Sequence, residues 1–209
     1  MLPRVLPMLA VAAELFDSPE YCFEIKYDGV RALAAVDEAG WRLWGRERVD
    51  YKARYPELDV LRRLPARTLV DGELVAFDDA GRPDLRQLLR RHGLTDPWRI
   101  RQARHWCPVQ YVLFDLLYNG GRCLMREPLV RRREVLAEVC ERLDVVVVFS
   151  PAVIGAGIAL YQTALASGQE GVMAKRLLSM YWPEKRAISW KKIKPPTRRR
   201  RSHRDIFSR

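Results

Sequence analysis

Short apolar runs with the spacing of β-strands limit the fold of this chain more than any other feature. In YCFEIKY (21–27) apolar and charged residues alternate, as they do in a strand that buries one face. PVQYVLFDLLY (108–118) is strongly apolar and rich in β-branched and aromatic residues, which indicates a buried strand. Further strands are predicted at 31–37, 41–46, 145–149, 170–177 and 187–194, and a strand or hairpin at 67–78.

Four segments whose apolar residues have helical spacing lie between these strands. Segment 54–65 carries apolar residues three and four apart, and 84–91 follows Asp84, a predicted N-cap. Segment 128–143 reads as an amphipathic helix with Pro128 near its first turn, and 158–168 as a helix that ends at Gly168. Short strands interspersed with helices, several of them hairpin-linked, predict an α+β fold with mainly antiparallel sheets flanked by helices.

Composition excludes several protein classes. The 209 residues are 48% hydrophobic, enough for one sizeable core or two small ones. No apolar run approaches the length needed to span a bilayer, and the prolines in MLPRVLPMLAVAAELF argue against a signal peptide. The four cysteines form no CxxC pair, so neither a zinc site nor a disulfide framework is indicated. We therefore expect a cytoplasmic, nucleoid-associated protein without membrane contact.

The net charge of +11 points to a polyanionic partner. Residues 195–209 have no apolar pattern, and we expect a disordered tail there. This tail holds six arginines against Asp205. The residues expected to contact DNA are Arg198, Arg199, Arg200 and Arg201. A purely solubilising tail is the alternative.

Charged residues also stand at the ends of the apolar strands, in five groups. They are Lys26/Asp28/Arg31, Arg46, Asp71/Glu73, Glu170/Lys175 and Lys192/Lys194. Because buried charge is costly unless it is paired or used, five such groups suggest one shared cleft. Lysine and arginine stabilise phosphate oxygens and carboxylates suit magnesium, so the set fits phosphoryl or nucleotidyl transfer. The GxxxxGK[ST] phosphate loop is absent, and none of the three histidines lies in a group.

One of the groups has a simpler interpretation. EIKYDGVR (24–31) contains Asp-Gly, a strong hairpin signal, between two strand-like runs. On this view the charges line the solvated face of a β-hairpin, and Asp28 only fixes its turn. Gly29 would allow either a tight turn or a close approach of the backbone.

The order of these groups resembles the covalent nucleotidyltransferases, meaning ATP-dependent DNA ligases and their RNA ligase and capping relatives. KYDGVR (26–31) is similar to the family's KxDGxR nucleophile motif. The later motifs follow in family order in GRERVDYKARYPEL (45–58), DGELVAFD (71–78), YVLFDLLY (111–118), EGVMAKR (170–176) and WKKIK (190–194). The YPEL continuation is typical of bacterial DNA ligases. The resemblance implies a nucleotidyltransferase (ATP-grasp-like) adenylation domain over residues 1–194.

The resemblance also implies roles for these residues. Lys26 would attack the α-phosphate of ATP, giving a lysyl-AMP and releasing pyrophosphate. Lys192 and Lys194 would favour its uncharged form and neutralise the triphosphate. The implied nucleotide-binding residues are Glu24, Arg31, Arg46, Glu73, Phe114, Lys175, Lys192 and Lys194. Glu73 and Glu170 would hold Mg²⁺ (or Mn²⁺). Phe114 would stack on adenine, although an aromatic residue in an apolar strand is usually part of the core.

The sequence departs from the family pattern in three places. Glu47 and Arg48 stand where relatives commonly have a small residue and a glycine, and Glu184 where many have glycine. The chain also ends soon after Lys194, whereas family DNA ligases continue into an OB-fold domain with a sixth motif. PPTRRRRSHRDIFSR is too short and polar for a barrel. We expect either an excised domain or a minimal protein whose partner supplies the OB-fold.

Three functions follow as hypotheses. The first is the adenylation domain of an ATP-dependent DNA ligase in bacterial strand-break repair and recombination. The second is an RNA ligase or capping-type enzyme, and the third a non-catalytic module that binds nucleotide and DNA ends. The retained charges argue against the third. The expected partners are nicked or broken DNA and an OB-fold or end-joining repair protein in trans, with the chain itself a monomer.

Overall fold

Two largely antiparallel sheets form the framework of the structure, a computed structural model that describes residues 1–141 and 143–196. The strands are β1 (Leu9–Ala12), β2 (Ser18–Ile25), β3 (Val30–Asp37), β4 (Gly40–Trp44), β5 (Thr68–Ala76), β6 (Val109–Asn119), β7 (Arg122–Cys123), β8 (Val147–Phe149), β9 (Ala152–Gly155), β10 (Val172–Arg176) and β11 (Arg186–Ile193). The α-helices are α1 (Leu85–His92), α2 (Pro97–Trp106), α3 (Leu129–Cys140) and α4 (Gly157–Ala166). Two 3-10 helices cover Lys52–Arg54 and Pro56–Arg63. The predicted α+β class is confirmed.

The five-stranded sheet has the order β1-β11-β10-β2-β9, and the six-stranded sheet has the order β4-β3-β5-β6-β7, with β8 beside β6. Among the strands of the described residues, only β1/β11 and β6/β8 pair in parallel. The five-stranded sheet joins the first strands of the chain to the last, whereas the six-stranded sheet uses strands close in sequence. The two sheets thus bring residues from both ends of the sequence to one place.

Three apolar clusters hold the layers together. One lies between the six-stranded sheet and α1, α3 and the second 3-10 helix, and contains Tyr111 and Leu113 of β6. The second, with Phe114 of β6 and Trp190 of β11, lies between the sheets. The third packs α4 on the outer face of the five-stranded sheet. The apolar run at 108–118 is explained by this arrangement, because β6 is covered on both faces.

Asp28 and Gly29 connect the two sheets rather than turning a hairpin. β2 pairs with β9 and β10, and β3 pairs with β4 and β5. The hairpin interpretation of EIKYDGVR is therefore wrong. A Cβ on Gly29 would lie 2.2 Å from the Leu74 carbonyl oxygen, so the glycine is required by a close approach of two backbones. Glu24, placed on a solvated face by that interpretation, is instead buried.

Most predicted elements are present, and the differences have local causes. The segment at 67–78 is one strand, β5, because β3 and β6 pair along both of its edges. Asp84 caps α1 as predicted, accepting a hydrogen bond from the Gln87 backbone N–H at 2.9 Å. The sequence pattern did not indicate α2 or the short strands β1, β7 and β9. Within the described residues, no helix combines the length and apolarity that a membrane crossing requires.

Candidate active site

A cleft between the two sheets collects most of the predicted site residues. Glu24 and Lys26 reach it from β2 and its end, Arg31 from β3, and Glu73 from β5. The cleft is also lined by Arg46, Phe114, Lys175, Arg186, Trp190 and Lys192. Beside the cleft Glu170 contacts Lys26, and Lys194 contacts Glu170. Residues 198–201, predicted to contact DNA, lie outside the described part of the chain.

Lys26 stands at the end of β2, where its backbone N–H donates to the Gly171 carbonyl at 2.9 Å. Its ammonium forms an ion pair with one carboxylate oxygen of Glu170, and Lys194 binds the other oxygen. Burial alone would raise the pKa of Glu170, but the contacts with the two lysines outweigh it and the pKa is lowered. Glu170 is therefore an ionised bridge between two cations.

Glu24 and Lys175 form a buried network beneath the cleft. The Lys175 Nζ lies 2.8 Å from one Glu24 oxygen, and Arg133 of α3 donates to the other at 2.5 Å. Glu24 on β2 and Lys175 on β10 are each only 2% exposed. Burial lowers the pKa of Lys175 despite the opposing effect of Glu24. The same ammonium lies 4.0 Å from the centre of the Phe114 ring, so Lys175 supports the floor of the cleft.

Arg31 is held in place by Asp71. Its guanidinium makes two hydrogen bonds of 2.6 Å to the Asp71 carboxylate, which also accepts one from the Tyr181 hydroxyl at 2.6 Å. The guanidinium carbon lies 4.5 Å from the centre of the Phe114 ring. Asp71 was in a predicted charged group but was not among the predicted binding residues. Its structural role could be found only from its pairing with Arg31.

Glu73 faces Arg31 across the β3–β5 pair. Burial raises the pKa of Glu73 to about 7, although Arg31, Lys26 and Arg46 act in the opposite direction. Among residues 1–141 and 143–196, no three His, Cys, Asp or Glu side chains lie together as a metal site. Glu73 and Glu170 are therefore single carboxylates in the described part of the chain, and their predicted role in magnesium binding stays a prediction.

The two departures from the family pattern, at Arg48 and Glu184, meet beside the cleft. Both residues have left-handed backbone angles, with φ of 59° and 66°, which favour glycine. Their side chains form an ion pair with an Nη2–Oε1 distance of 2.9 Å. Arg48 is two residues from Arg46, and Glu184 two residues from Arg186, and both of these line the cleft. The pair thus links the loop after β4 to the turn before β11.

Comparison with known proteins gives the family. A family model described as ATP dependent DNA ligase domain matches residues 5–194. A DNA ligase of Methanothrix thermoacetophila is 35% identical over 176 residues, which are 82% of this chain and 32% of that protein. The multifunctional non-homologous end joining DNA repair protein LigD of Mycobacterium tuberculosis is 33% identical over 196 residues, 91% of this chain and 24% of LigD.

Comparison of the fold with solved structures points to the same family. Mycobacterial DNA ligase D complexed with ATP and MES superposes with a TM-score of 0.74 at 29% identity, over 91% of this chain and 60% of that one. The chain spans about a quarter to a third of the length of the two curated relatives. With a family model matched over nearly all of its length, the chain belongs to the ATP-dependent DNA ligase family.

Proposed function

We propose that residues 1–194 are the adenylation domain of an ATP-dependent DNA ligase, with Lys26 as its nucleophile. The main observation behind this proposal is the cleft that Lys26 lines. Three cations, Arg31, Arg46 and Lys192, and one carboxylate, Glu73, line the same cleft. Three cations around one amine and one carboxylate suit a bound nucleoside triphosphate. The two curated relatives are named DNA ligase and LigD, which supports DNA as the final acceptor.

The reaction begins when the Lys26 amine loses its proton. Its nitrogen then bonds to the α-phosphorus of ATP while the bond from that phosphorus to the pyrophosphate oxygen breaks. AMP is next transferred from Lys26 to a DNA 5′-phosphate, which restores the free amine. In the structure Lys26 is engaged in an ion pair with Glu170. Breaking that pair is therefore a requirement for the first step.

The remaining side chains bind and orient the nucleotide. Lys192 and Arg46 neutralise phosphate charge from opposite sides of the cleft, and Lys194 does so once it leaves Glu170. Phe114 offers an apolar ring for the adenine, with Arg31 and Lys175 fixing that ring from beneath. Magnesium or manganese, when bound, would neutralise the phosphates, with Glu73 and Glu170 as its protein contacts.

The test is self-labelling with α-labelled ATP and magnesium. We expect label to stay on the protein, and Lys26→Ala to reduce it to background because the bonding nitrogen is gone. Lys192→Ala should also reduce labelling. Lys191→Ala is a matched control, since the Lys191 ammonium lies over the Phe16 ring on the opposite face of β11, 4.5 Å from its centre. Melting curves establish that each variant is folded.

Two outcomes would contradict the proposal. One is a folded wild-type protein that takes no label, alone or with an OB-fold domain supplied in trans, which would favour a non-catalytic binding module. The other is label that persists in Lys26→Ala. If labelling succeeds, sealing of nicked DNA compared with nicked RNA identifies the acceptor.

A further inference from the structure

The helix pair α1–α2 carries a concentration of positive charge that the proposed chemistry does not use. Residues 85–106 contain six arginines and a single acidic residue, Asp96. Asp96 is already engaged as the N-cap of α2, accepting from the Arg99 backbone N–H at 2.8 Å. No carboxylate of the pair is therefore left to neutralise the arginines.

Five of these arginines are exposed and form no ion pair with any described residue. They are Arg86, Arg90, Arg99, Arg101 and Arg104. Exposed arginines on other elements behave differently, because many are paired with a carboxylate. Examples are Arg62–Asp59, Arg63–Asp144, Arg82–Asp78, Arg122–Glu127, Arg131–Glu134 and Arg176–Glu20. Like charges crowded on two short helices repel one another, and an approaching polyanion removes that repulsion.

Aromatic side chains lie among these charges. Trp98 is 62% exposed and Trp106 is 41% exposed, both on α2. The guanidinium carbon of Arg90 lies 5.9 Å from the centre of the Trp106 ring. Large exposed aromatic rings beside arginines suit a partner that offers both phosphates and the flat faces of bases. An acidic peptide would use the arginines but would leave the rings without a matching surface.

The two helices are joined by hydrogen bonds, and α1 adjoins the cleft. The Gln87 side-chain amide donates to the Trp106 carbonyl at 2.8 Å, and Arg91 donates to the Cys107 carbonyl at 2.6 Å. His92, the last residue of α1, lines a second cleft. That cleft is also lined by Gly29, Arg31, Arg46 and Glu73, three of which line the active-site cleft as well. The C-terminal end of α1 therefore borders a cleft that shares three residues with the active-site cleft.

We propose that the exposed face of α1–α2 binds the DNA strand that flanks the reacting end. This inference rests on the proposed function, since it is that function which brings a DNA end to the cleft. The five arginines contact backbone phosphates, and Trp98 and Trp106 contact bases where the strand is unpaired. The surface adds affinity and orientation, while the chemistry stays with Lys26.

The test compares two variants with the same change in net charge. The helix variant carries R86Q, R90Q, R99Q, R101Q and R104Q. The control carries R62Q, R63Q, R82Q, R122Q and R131Q, all at arginines paired with carboxylates. Binding to a nicked duplex is measured between 50 and 200 mM salt. Because each lost phosphate contact reduces the slope of log K against log salt by about 0.9, the loss of five contacts should reduce the slope by about 4 to 5 and the affinity tenfold or more.

Self-labelling with ATP separates this inference from the proposed function. The helix variant should label like the wild type, because none of its five arginines lines the cleft. Loss of DNA binding with normal labelling supports the surface. An unchanged slope, or equal losses in both variants, would overturn it. Failure of the wild type to label would instead reject the proposed function and leave the binding comparison valid.

Binding to two further DNA substrates tests the role of Trp98 and Trp106. W98A/W106A should weaken binding to a duplex with a single-stranded overhang more than binding to a blunt duplex of equal length. Equal weakening of the two would remove the tryptophans from the proposal. If the helix variant loses affinity for duplex RNA but keeps it for DNA, the assignment to DNA is wrong.

Discussion

Glu73 is the carboxylate of the cleft whose charge changes near neutral pH. Its pKa of about 7 results from burial, which Arg31 and Lys26 only partly offset. Between pH 4.5 and 7 the folded protein keeps a proton on Glu73 that the unfolded chain has released. Protonation there favours folding, so this contribution to stability is present at low pH and is lost as the pH rises through 7. Ionisation of Glu73 therefore lowers the free energy of unfolding.

Glu73→Gln tests this relation, since glutamine cannot ionise. Relative to the wild type, the free energy of unfolding of the variant should rise by about 2–3 kcal/mol between pH 5 and pH 8. Urea denaturation at the two pH values measures the difference. Glu38→Gln, at an exposed carboxylate in the β3–β4 turn, is the control and should follow the wild type. Identical pH profiles for Glu73→Gln and the wild type would contradict the raised pKa.

At the scale of secondary-structure elements, α3 fixes the position of β6 and of the cleft floor through two adjacent arginines. Arg132 forms two hydrogen bonds to Asp115 of β6, at 2.7 and 2.9 Å, and both side chains are fully buried. Arg133 reaches Glu24 instead. One turn of helix therefore connects the core of the six-stranded sheet to β2, the strand that leads to Lys26.

Asp115→Asn should be among the most destabilising single substitutions in the chain. It leaves the buried Arg132 guanidinium without its countercharge, which costs about 3–5 kcal/mol. Glu134→Gln breaks the exposed Arg131–Glu134 pair on the same helix and should cost less than about 1 kcal/mol. Guanidinium denaturation of both variants makes the comparison. Similar stabilities would mean that the buried pair contributes no more than the exposed one.

The elements that could be predicted from the sequence are those whose regularly spaced apolar residues form a buried face in the structure. β6, α1 and α3 are examples, because each buries a face with a regular repeat. α2 was not predicted because only Ile100 and Ala103 of its ten residues are buried, which leaves no apolar stripe to recognise. The Asp-Gly hairpin signal failed because pairing of β2 and β3 with other strands outweighed a local turn preference.

In the candidate site, too, some features were predicted from the sequence and others were not. The order of the motifs identified residues that line the cleft, because each charged group stands at the end of a recognisable apolar strand. Their partners were beyond reach of the sequence, because pairs such as Glu24–Arg133 and Arg31–Asp71 depend on tertiary packing over 109 and 40 residues. The roles assigned to the lining residues stay predictions until the labelling experiments are made.

At the scale of the whole molecule, the Arg48–Glu184 pair bridges the two sheets at a cost. Each of its residues has a left-handed backbone, a strain of about 1–2 kcal/mol for a residue with a side chain. The ion pair is more than half exposed on both sides and contributes less than about 1 kcal/mol. The strain therefore exceeds the stabilisation that the pair provides.

Replacing both residues with glycine, as R48G/E184G, should raise the free energy of unfolding by about 1 kcal/mol, because strain is relieved twice and the pair is lost once. Thermal and urea denaturation of the two single variants and the double variant complete a mutant cycle. R48A/E184A removes the pair without relieving strain, and should be less stable than R48G/E184G. A glycine double variant below the wild type would show that the bridge outweighs the strain.

Lys26 and its ionic partners Glu170 and Lys194 are separated by most of the polypeptide, and this has a consequence for synthesis on the ribosome. β3 to β6 can pair as soon as residues 30–119 have emerged, but β10 and β11 complete the other sheet only after residue 193. Until then Lys26 has neither Glu170 nor Lys194 beside it. The ionic contacts of Lys26 therefore form only after the strands that follow residue 170 have been synthesised and paired.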